Sequence, residues 1–469
     1  MPSPKLVVIG AGPGGYTAAF RAADLGLDVT LIDKSQNPGG VCLYEGCIPS
    51  KAILHAAKIL SDIKHAQHIG ISCGDATIDI NKLRTWKDSI VGKLTSGLGQ
   101  LTKARKITYI QGEARFLNST TLEIKKPDGV AEQIAFDKAI LATGSSTNTL
   151  PFLPQSSRIL DSTTALGINA IPTSLLVIGG GYIGLELGSA YAALGAKVSI
   201  VETLPDILSG ADKDLADILL RKLKKIFTKI MTGTKVVNGE EIPEGIRITL
   251  EDNKGTQTTE LYSYVLVSVG RKPNTQGLGL ENTKVQLSEK GFVEVDAQRR
   301  TDDKNIYAIG DITGPPMLAH KASFEAKVAV DAILGKDTAF EPRCIPCVVF
   351  TDPELAWCGL TEQEALAKGL NITVSKFPWA ASGRALTIDR TDGTTKIVAD
   401  TKTGRILSVG IVGVGAGDLI TEGALAVETG MKAEDLALTI HPHPTLSETL
   451  MEAADGLFGD PTHIFRPKK

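Results

Sequence analysis

The chain contains the same succession of strand, glycine turn, helix and strand twice, and this repeat restricts its fold more than any other feature. In the first copy, a strand at residues 6–9 leads into a glycine turn, a helix over residues 16–25 and a second strand that ends at Asp33. The G-x-G-x-x-G spacing lets a helix amino end approach a pyrophosphate, and the acid can hold ribose hydroxyls. Glycines alone are weak support because ordinary turns use them, but the complete order predicts a dinucleotide site. Its candidate residues are Gly10, Gly12, Gly14, Gly15 and Asp33.

The second copy occupies residues 175–202 and ends at Glu202. No basic residue follows through Asp206, and a carboxylate in this position repels the 2′-phosphate of NADP(H). The second unit is therefore predicted to bind NAD(H). Two such units imply two adenine dinucleotides, and hydride can pass between FAD and NAD. Its pattern glycines are Gly179, Gly181 and Gly184.

The rest of the chain shows how these units are connected. At 469 residues it is too long for one core, so two to four domains are expected. A strand ends at Thr143-Gly144, residues 150–154 cross into the second unit, and residues 265–274 return from it. Residues 306–311 predict another buried strand. From about Cys347 the pattern changes to alternating strands and short helices, with an antiparallel hairpin over residues 395–413, which indicates a third domain.

Composition excludes several classes of function. The net charge of -3 gives no electrostatic case for nucleic acid or an anionic membrane, and no apolar run is long enough to span a bilayer. The basic stretch at residues 221–225 is interpreted as the solvated face of an amphipathic helix. Six cysteines are too few for a disulfide scaffold in a chain of this length. The first strand begins almost at the amino terminus, so no signal peptide is expected. A cytoplasmic location is predicted, although a mature mitochondrial protein would look the same.

Two of the six cysteines, Cys42 and Cys47, lie five positions apart in GGVCLYEGCIPSK. Gly39 and Gly40 let the backbone approach a flat group, and a helix predicted from Ser50 points its amino end at the sulfurs, which favours thiolate. Two buried free thiols are the usual alternative. The adjoining dinucleotide unit favours a redox pair instead.

These residues resemble the redox signature of the flavin disulfide reductases, the group that contains dihydrolipoyl dehydrogenase, glutathione reductase and mercuric reductase. The resemblance extends over both glycine turns, residues 142–144, Gly310-Asp311 and the closing segment HPHPTLSE, which is similar to the dihydrolipoyl dehydrogenase form. It implies an α/β fold with two Rossmann-like dinucleotide-binding domains and a C-terminal α+β dimerisation domain. The implied bounds are 1–149 and 272–345 for the FAD-binding domain, 150–271 for the NAD-binding domain and 346–469 for the interface domain.

The resemblance also implies roles for individual residues. A dihydrolipoyl thiolate attacks Cys42, Cys47 exchanges electrons with FAD, and NAD⁺ accepts hydride, with Lys51 beside the flavin and paired with Glu186. The expected FAD contacts add Lys34, Gly40, Lys51, Thr143, Gly144, Gly310, Asp311 and Ala319, and Gly270 is expected on the NAD side. No metal is expected.

Thiol chemistry near neutral pH needs a base, and His443, oriented by Glu448 five positions later, is the candidate, with His441 as a positioning neighbour. His320 is expected to be structural. Because His443 is far along the chain from Cys42, the resemblance implies a homodimer in which the base reaches the other subunit's disulfide. The expected partner is a lipoyl-bearing carrier chain of a 2-oxo acid dehydrogenase or glycine cleavage complex.

Some residues depart from the family pattern and leave alternatives open. Val41 replaces the usual threonine, and Tyr44 and Ser382 replace asparagines. Cys344-x-x-Cys347 could be a zinc half-site or a second redox pair, but ordinary packing is favoured because no further ligand cluster completes it. The alternative functions are NADH-dependent reduction of another disulfide, a quinone or a metal ion, and a flavin-binding subunit without turnover.

Overall fold

In the computed structural model, described for residues 5–74, 76–459 and 461–465, two five-stranded parallel sheets precede a five-stranded antiparallel sheet. The helices are α1 (Pro13–Asp24), α2 (Gly40–Glu45), α3 (Cys47–Ala66), α4 (Ile80–Ala104), α5 (Tyr182–Ala193), α6 (Lys213–Ile226), α7 (Ala319–Ile333), α8 (Glu362–Ala367), α9 (Gly383–Thr387), α10 (Ala416–Thr429), α11 (Ala433–Ala437) and α12 (Glu448–Phe458). Short 3₁₀ turns lie at Gln67–Ile69, Thr164–Gly167, Leu280–Asn282, Gly310–Thr313 and Trp379–Ala381.

The strands of the first half are β1 (Lys5–Ile9), β2 (Asp28–Asp33), β3 (Thr108–Gln111), β4 (Glu113–Asn118), β5 (Thr121–Lys125), β6 (Ala131–Ala135), β7 (Lys138–Leu141), β8 (Ser145–Thr147), β9 (Ile159–Leu160), β10 (Ser174–Ile178) and β11 (Lys197–Val201). Those of the second half are β12 (Lys229–Met231), β13 (Lys235–Ile242), β14 (Gly245–Glu251), β15 (Gln257–Tyr262), β16 (Tyr264–Val267), β17 (Arg271–Pro273), β18 (Ile306–Ala308), β19 (Cys347–Val349), β20 (Glu354–Gly359), β21 (Ile372–Pro378), β22 (Thr394–Asp400) and β23 (Ile406–Gly413).

The first glycine-turn unit forms the centre of a parallel sheet with the order β18-β7-β1-β2-β3. Strand β1 is an apolar run with four of its five residues buried, as expected for a strand covered on both faces. Helix α1 packs on this sheet beside α7. Gly10 has φ +95°, and a Cβ on it would lie 2.3 Å from the carbonyl oxygen of Ala142, so only glycine fits this turn.

The second unit repeats this arrangement in a sheet of order β12-β11-β10-β16-β9. Helix α5 is apolar on most of its surface because it lies between this sheet and helix α3 of the first unit. The amphipathic helix α6 buries Leu215, Ala216, Leu219 and Leu223. Arg221, Lys224 and Lys225 are exposed, which confirms that the basic stretch is a solvated helix face. A small three-stranded antiparallel sheet accompanies each unit, β4-β5-β6 and β13-β14-β15.

The C-terminal third contains the antiparallel sheet β19-β20-β23-β22-β21, with α10, α11 and α12 packed against it. The predicted hairpin is present as β22 and β23. Together with the two parallel sheets, this sheet confirms the predicted α/β class with two dinucleotide-binding folds and a C-terminal domain.

A buried lysine connects the second unit to the C-terminal sheet. Lys396 on β22 is 1% exposed, and its Nζ lies 2.7 Å from Asp212, 3.0 Å from Asp214 and in contact with Glu362. These three carboxylates are close enough together to suggest a cation site. The lysine ammonium already supplies the positive charge there, so the cluster acts as an ion-paired junction between α6, α8 and β22.

Candidate active site

A cavity of about 440 Å³ opens at the carboxyl ends of the first parallel sheet. The amino end of α1, the segment around the cysteine pair and the first turn of α5 line it. Parallel sheets bind ligands at this edge because the glycine turns and helix amino ends meet there. The cavity therefore brings the dinucleotide turn and the two sulfurs into one space.

Cys42 lies on α2 and Cys47 is the first residue of α3. The prediction that the following helix begins at Ser50 is wrong, because Pro49 fits within a first helical turn, where no intrahelical partner for its nitrogen is needed. Cys47 thus lies at the helix amino end itself. The contacts of Cys42 and Cys47 are those of their free thiol forms.

The two sulfurs interact, and the interaction divides their roles. The Cys42 thiol donates a hydrogen bond to Cys47, which lowers the pKa of Cys47 to about 7 against the opposing effect of burial, and the nearby Lys51 lowers it further. The same hydrogen bond, together with burial, raises the pKa of Cys42. The reduced pair therefore holds a thiolate at Cys47 and a proton at Cys42 near neutral pH.

Lys51 is one turn beyond Cys47 on α3, and its Nζ lies 2.8 Å from Glu186 Oε2. Glu186 is only 3% exposed, and its other oxygen accepts a hydrogen bond of 3.0 Å from the backbone N–H of Phe350. The Phe350 ring lies 4.5 Å from Lys51 Nζ, within cation–π range. One buried carboxylate thus joins α3, α5 and the segment after β19.

The first glycine turn provides the groups that an adenine dinucleotide needs. Asp33 Oδ2 accepts a hydrogen bond of 2.7 Å from the N–H of Ala11, which fixes the carboxylate in the turn. Gly40 has φ +57°, and a Cβ on it would lie 2.5 Å from the Cα of Gly12, so the cysteine segment and the turn meet without side chains between them. The residues present fit a bound FAD. Of the predicted contacts, Gly10, Gly12, Gly14, Asp33, Lys34, Gly40, Lys51, Thr143, Gly144, Gly310, Asp311 and Ala319 line the cavity.

Gly15 does not line the cavity. A Cβ on Gly15 would lie 1.8 Å from the carbonyl oxygen of Gly10, so this glycine allows the helix to pack closely on the strand. Gly15 therefore affects the shape of the site through helix–strand packing and not by lining the cavity.

Several residues that the sequence patterns do not mark fix the far wall of the cavity. Ser145 donates a hydrogen bond to Asp311, and the Arg271 guanidinium donates to Ser145 Oγ at 2.7 Å and to its carbonyl oxygen at 2.6 Å. Asn274 and Thr143 exchange hydrogen bonds of 3.0 and 2.8 Å. The two residues of each pair are more than 120 positions apart in the sequence, and no local pattern marks them. The antiparallel pairing of β17 with β8 brings them together.

The glycine turn of the second unit has the same chemistry, and its pattern glycines and Glu202 lie outside this cavity. Glu202 Oε2 accepts a hydrogen bond of 2.6 Å from the N–H of Gly180, as Asp33 does from Ala11. A Cβ on Gly184 would lie 2.3 Å from the carbonyl oxygen of Gly179, and Gly181 has open space in front of it. Gly270, with φ +95°, lies between β16 and β17. The predicted dinucleotide residues therefore form a second turn with a fixed acid.

His443 and Glu448 form a pair, but they do not line the cavity that contains the cysteines. His443 Nδ1 lies 2.8 Å from Glu448 Oε1, and the His443 side chain is 75% exposed. Partial burial opposes the charge on Glu448, but hydrogen bonds from the Thr445 N–H and the His443 ring keep its pKa below its usual value. The carboxylate therefore orients the ring with Nε2 free, facing away from this chain's own core.

The other histidines singled out from the sequence have structural contacts. His441, with its side chain 4% exposed, lies between Glu422 and the carbonyl oxygen of Thr439, each at 2.8 Å. His320 Nε2 contacts the carbonyl oxygen of Pro346 at 2.9 Å.

Across the described ranges, no helix is long and apolar enough to cross a membrane.

Comparison with known proteins agrees with this geometry. The profile of the pyridine nucleotide-disulphide oxidoreductase family matches residues 4–326, and that of its dimerisation domain matches residues 345–454. The chain is 48% identical to the dihydrolipoyl dehydrogenase of Geobacillus stearothermophilus over 98% of its length and 97% of the relative's. It is 46% identical to the dihydrolipoyl dehydrogenase of Haemophilus influenzae, over 98% and 96% of the two chains.

Solved structures are similar over nearly the whole chain. LpdA of Mycobacterium tuberculosis has a TM-score of 0.90 at 27% identity, covering 97% of this chain and 99% of the other. The flavoprotein disulfide reductase RclA of Escherichia coli, solved as a Cu(II) complex, has a TM-score of 0.86 at 28% identity, with 97% and 99% covered. The chain has two dinucleotide folds and the dithiol, and these matches cover nearly its whole length. It therefore belongs to the pyridine nucleotide-disulphide oxidoreductase family.

Proposed function

We propose that this enzyme is a dihydrolipoyl dehydrogenase, which oxidises the dihydrolipoyl group of a carrier protein with FAD as resident cofactor and NAD⁺ as acceptor. The observation that carries the proposal is the Cys42–Cys47 pair inside the cavity of the first dinucleotide turn, where the Cys42 hydrogen bond and the Lys51 ammonium favour a thiolate at Cys47. Relatives at 44–48% identity over nearly full length carry this enzyme name.

The proposed chemistry begins with the oxidised form of the pair. A dihydrolipoyl thiolate attacks Cys42 Sγ, the Cys42–Cys47 bond breaks, and Cys47 leaves as a thiolate. The second lipoyl thiol, once deprotonated, attacks the mixed disulfide and releases oxidised lipoyl, while Cys42 takes up a proton. The low pKa of Cys47 supports this order because a stabilised thiolate is the better leaving group.

Bound FAD would supply two-electron chemistry, taking the electron pair of the dithiol and passing hydride to NAD⁺. The residues proposed to hold it are those that line the cavity, with Asp33 on the ribose and the amino end of α1 on the pyrophosphate. Glu202, already fixed by the Gly180 N–H, is proposed to hold the ribose of NAD. A carboxylate there disfavours a 2′-phosphate.

The base is proposed to come from a second copy of the chain. His443 and Glu448 form an oriented pair on an exposed surface of a domain whose family profile is a dimerisation domain. In a homodimer, the partner's His443 would take the proton of the lipoyl thiol at Cys42. The lipoyl carrier is proposed as the second partner, a component of a 2-oxo acid dehydrogenase or glycine cleavage complex.

The test is anaerobic titration of the purified flavoprotein with dihydrolipoamide and, separately, with NADH. Both reductants are expected to produce the long-wavelength band of a thiolate beside oxidised flavin, and Cys47→Ser is expected to abolish it. A band with NADH but none with dihydrolipoamide would favour the alternative function, reduction of another disulfide, a quinone or a metal ion. The Cu(II) complex of RclA is the observation that keeps this alternative open.

A further inference from the structure

Three cysteines outside the cavity lie close together where the first domain joins the C-terminal sheet. Cys358 on β20 is fully buried, and Cys344, in the segment leading into β19, is half-buried. Both pack in the same apolar core of the C-terminal domain. Cys347 is the first residue of β19.

The strand register decides which two of the three sulfurs face each other. Cys347 is paired with Trp357 across the β19–β20 ladder, and side chains directly opposite lie on the same face. Trp357 packs on the core of the second dinucleotide unit, whereas Cys358, the next residue, points to the opposite face. Cys347 is therefore turned away from Cys358, and Cys344 shares the face of Cys358. The spacing Cys-x-x-Cys is misleading here.

The contacts of Cys344 and Cys358 give them different reactivity. The Cys358 thiol donates a hydrogen bond to the sulfur of Cys344, which lowers the pKa of Cys344 against the opposing effects of burial and the Glu428 carboxylate, while that contact and burial raise the pKa of Cys358. Cys344 Sγ also lies 3.6 Å from the carbonyl oxygen of Ala424. A half-buried thiol with a lowered pKa beside a fully buried thiol with a raised pKa is the usual arrangement of an oxidisable cysteine and its resolving partner.

We propose that Cys344 and Cys358 form a second redox site, at which a hydroperoxide converts the dithiol to a disulfide independently of the flavin. The Cys344 thiolate attacks the terminal oxygen, the O–O bond breaks, and the alcohol leaves with a proton from solvent, giving a sulfenic acid at Cys344. The Cys358 sulfur then displaces the hydroxyl, which leaves as water with the Cys358 proton. Two thiols and one hydroperoxide thus yield one disulfide, one alcohol and one water.

A metal site does not account for these sulfurs. Among the described residues, the close group of possible metal ligands is the Asp212 cluster, and no cysteine belongs to it. The proposed bond would fix the segment between the two domains, which Glu428 holds through the Arg343 N–H at 3.0 Å, to β20. Neither Cys344 nor Cys358 lines the active-site cavity, so this pair is distinct from the Cys42–Cys47 dithiol.

The test uses the reduced holoenzyme, treated with hydrogen peroxide, alkylated with N-ethylmaleimide and digested without reductant. Trypsin separates residues 344–368 from residues 35–51, which contain the first pair. A second cut by a glutamate-specific protease after Glu354 leaves Cys344 and Cys347 in one fragment and Cys358 in the next. Mass spectrometry is expected to find these two fragments joined.

The variants assign the bond. The junction is expected to persist in Cys347→Ser, the matched control, and to disappear in Cys344→Ser and Cys358→Ala. A disulfide within residues 344–354, or alkylated Cys344 and Cys358 after full oxidation of Cys42 and Cys47, would overturn the proposal. The Cys347→Ser control distinguishes a Cys344–Cys358 bond from a Cys347–Cys358 bond, so a folding defect in Cys358→Ala does not affect the test. Loss of dihydrolipoyl turnover would not affect it either.

Discussion

At the scale of single residues, the charge on Lys51 adds to the Cys42 hydrogen bond in favouring a thiolate at Cys47 in the reduced enzyme. The pKa of Cys47 is lowered to about 7, so the thiolate is present above that pH and is lost as the pH falls through it. Alkylation of the reduced enzyme by iodoacetamide should follow this titration. Replacing Lys51 with methionine removes the positive charge and should move the midpoint upward by about one pH unit.

The matched control for this change is Lys58→Met. Lys58 is on the same helix, but it is exposed and pairs with Asp62 at 2.7 Å, away from the cavity. Its replacement should leave the alkylation midpoint in place. Equal shifts in both variants would show that general surface charge, and not the Lys51 ammonium, controls the thiol.

Glu448 is proposed to position His443, which it contacts at 2.8 Å, and this role predicts that its charge matters more than its hydrogen-bonding capacity. Glu448→Gln keeps the shape but loses the carboxylate that fixes the proton on Nδ1, so dihydrolipoamide oxidation should fall by about 100-fold. The loss should appear in kcat, with an altered pH profile and an unchanged flavin spectrum. Glu452→Gln is the control, since Glu452 is on the same helix and holds a different histidine, His463. Comparable losses in both variants would argue against a specific role for Glu448.

At the scale of secondary-structure elements, the ion-paired junction joins α6 to the C-terminal sheet. Lys396→Ala leaves Asp212, Asp214 and Glu362 crowded without their buried cation, which should cost about 3 kcal/mol of stability. A lower urea midpoint, followed by circular dichroism, would report it. Lys376→Ala removes a more exposed partner of Asp214 and should cost less than about 1 kcal/mol. Similar midpoints for the two variants would contradict the inferred importance of burial.

The sequence was sufficient for the two dinucleotide units because their signals are local. Alternating strand, glycine turn, helix and acid fall within about 30 residues, and both acids occupy the predicted place in their turns. The start of α3 was misplaced because Pro49 reads as a helix boundary although a first turn tolerates it. The Ser145–Arg271 contact and the close approach of Gly40 to Gly12 depend on long-range pairing, which no local pattern specifies.

At the scale of the whole molecule, the position of His443 outside the cavity leads to a prediction about subunits. A heterodimer of one Cys47→Ser chain and one His443→Gln chain, isolated with two affinity tags, should retain about half of wild-type turnover. One of its two sites would combine an intact dithiol with an intact base. A heterodimer that has both changes on one chain, opposite a wild-type chain, should be inactive. If the first heterodimer were inactive and the second retained about half of wild-type turnover, the base and the dithiol would lie on the same chain.

The carboxylate of Glu186 connects three parts of the molecule, since it holds Lys51 of the first unit, belongs to α5 of the second and accepts the Phe350 N–H of the third. A rotation of any one part against the others would stretch a contact that sets the charge next to Cys47. A movement of α5 that accompanied nucleotide docking would consequently reach the sulfur through this one carboxylate.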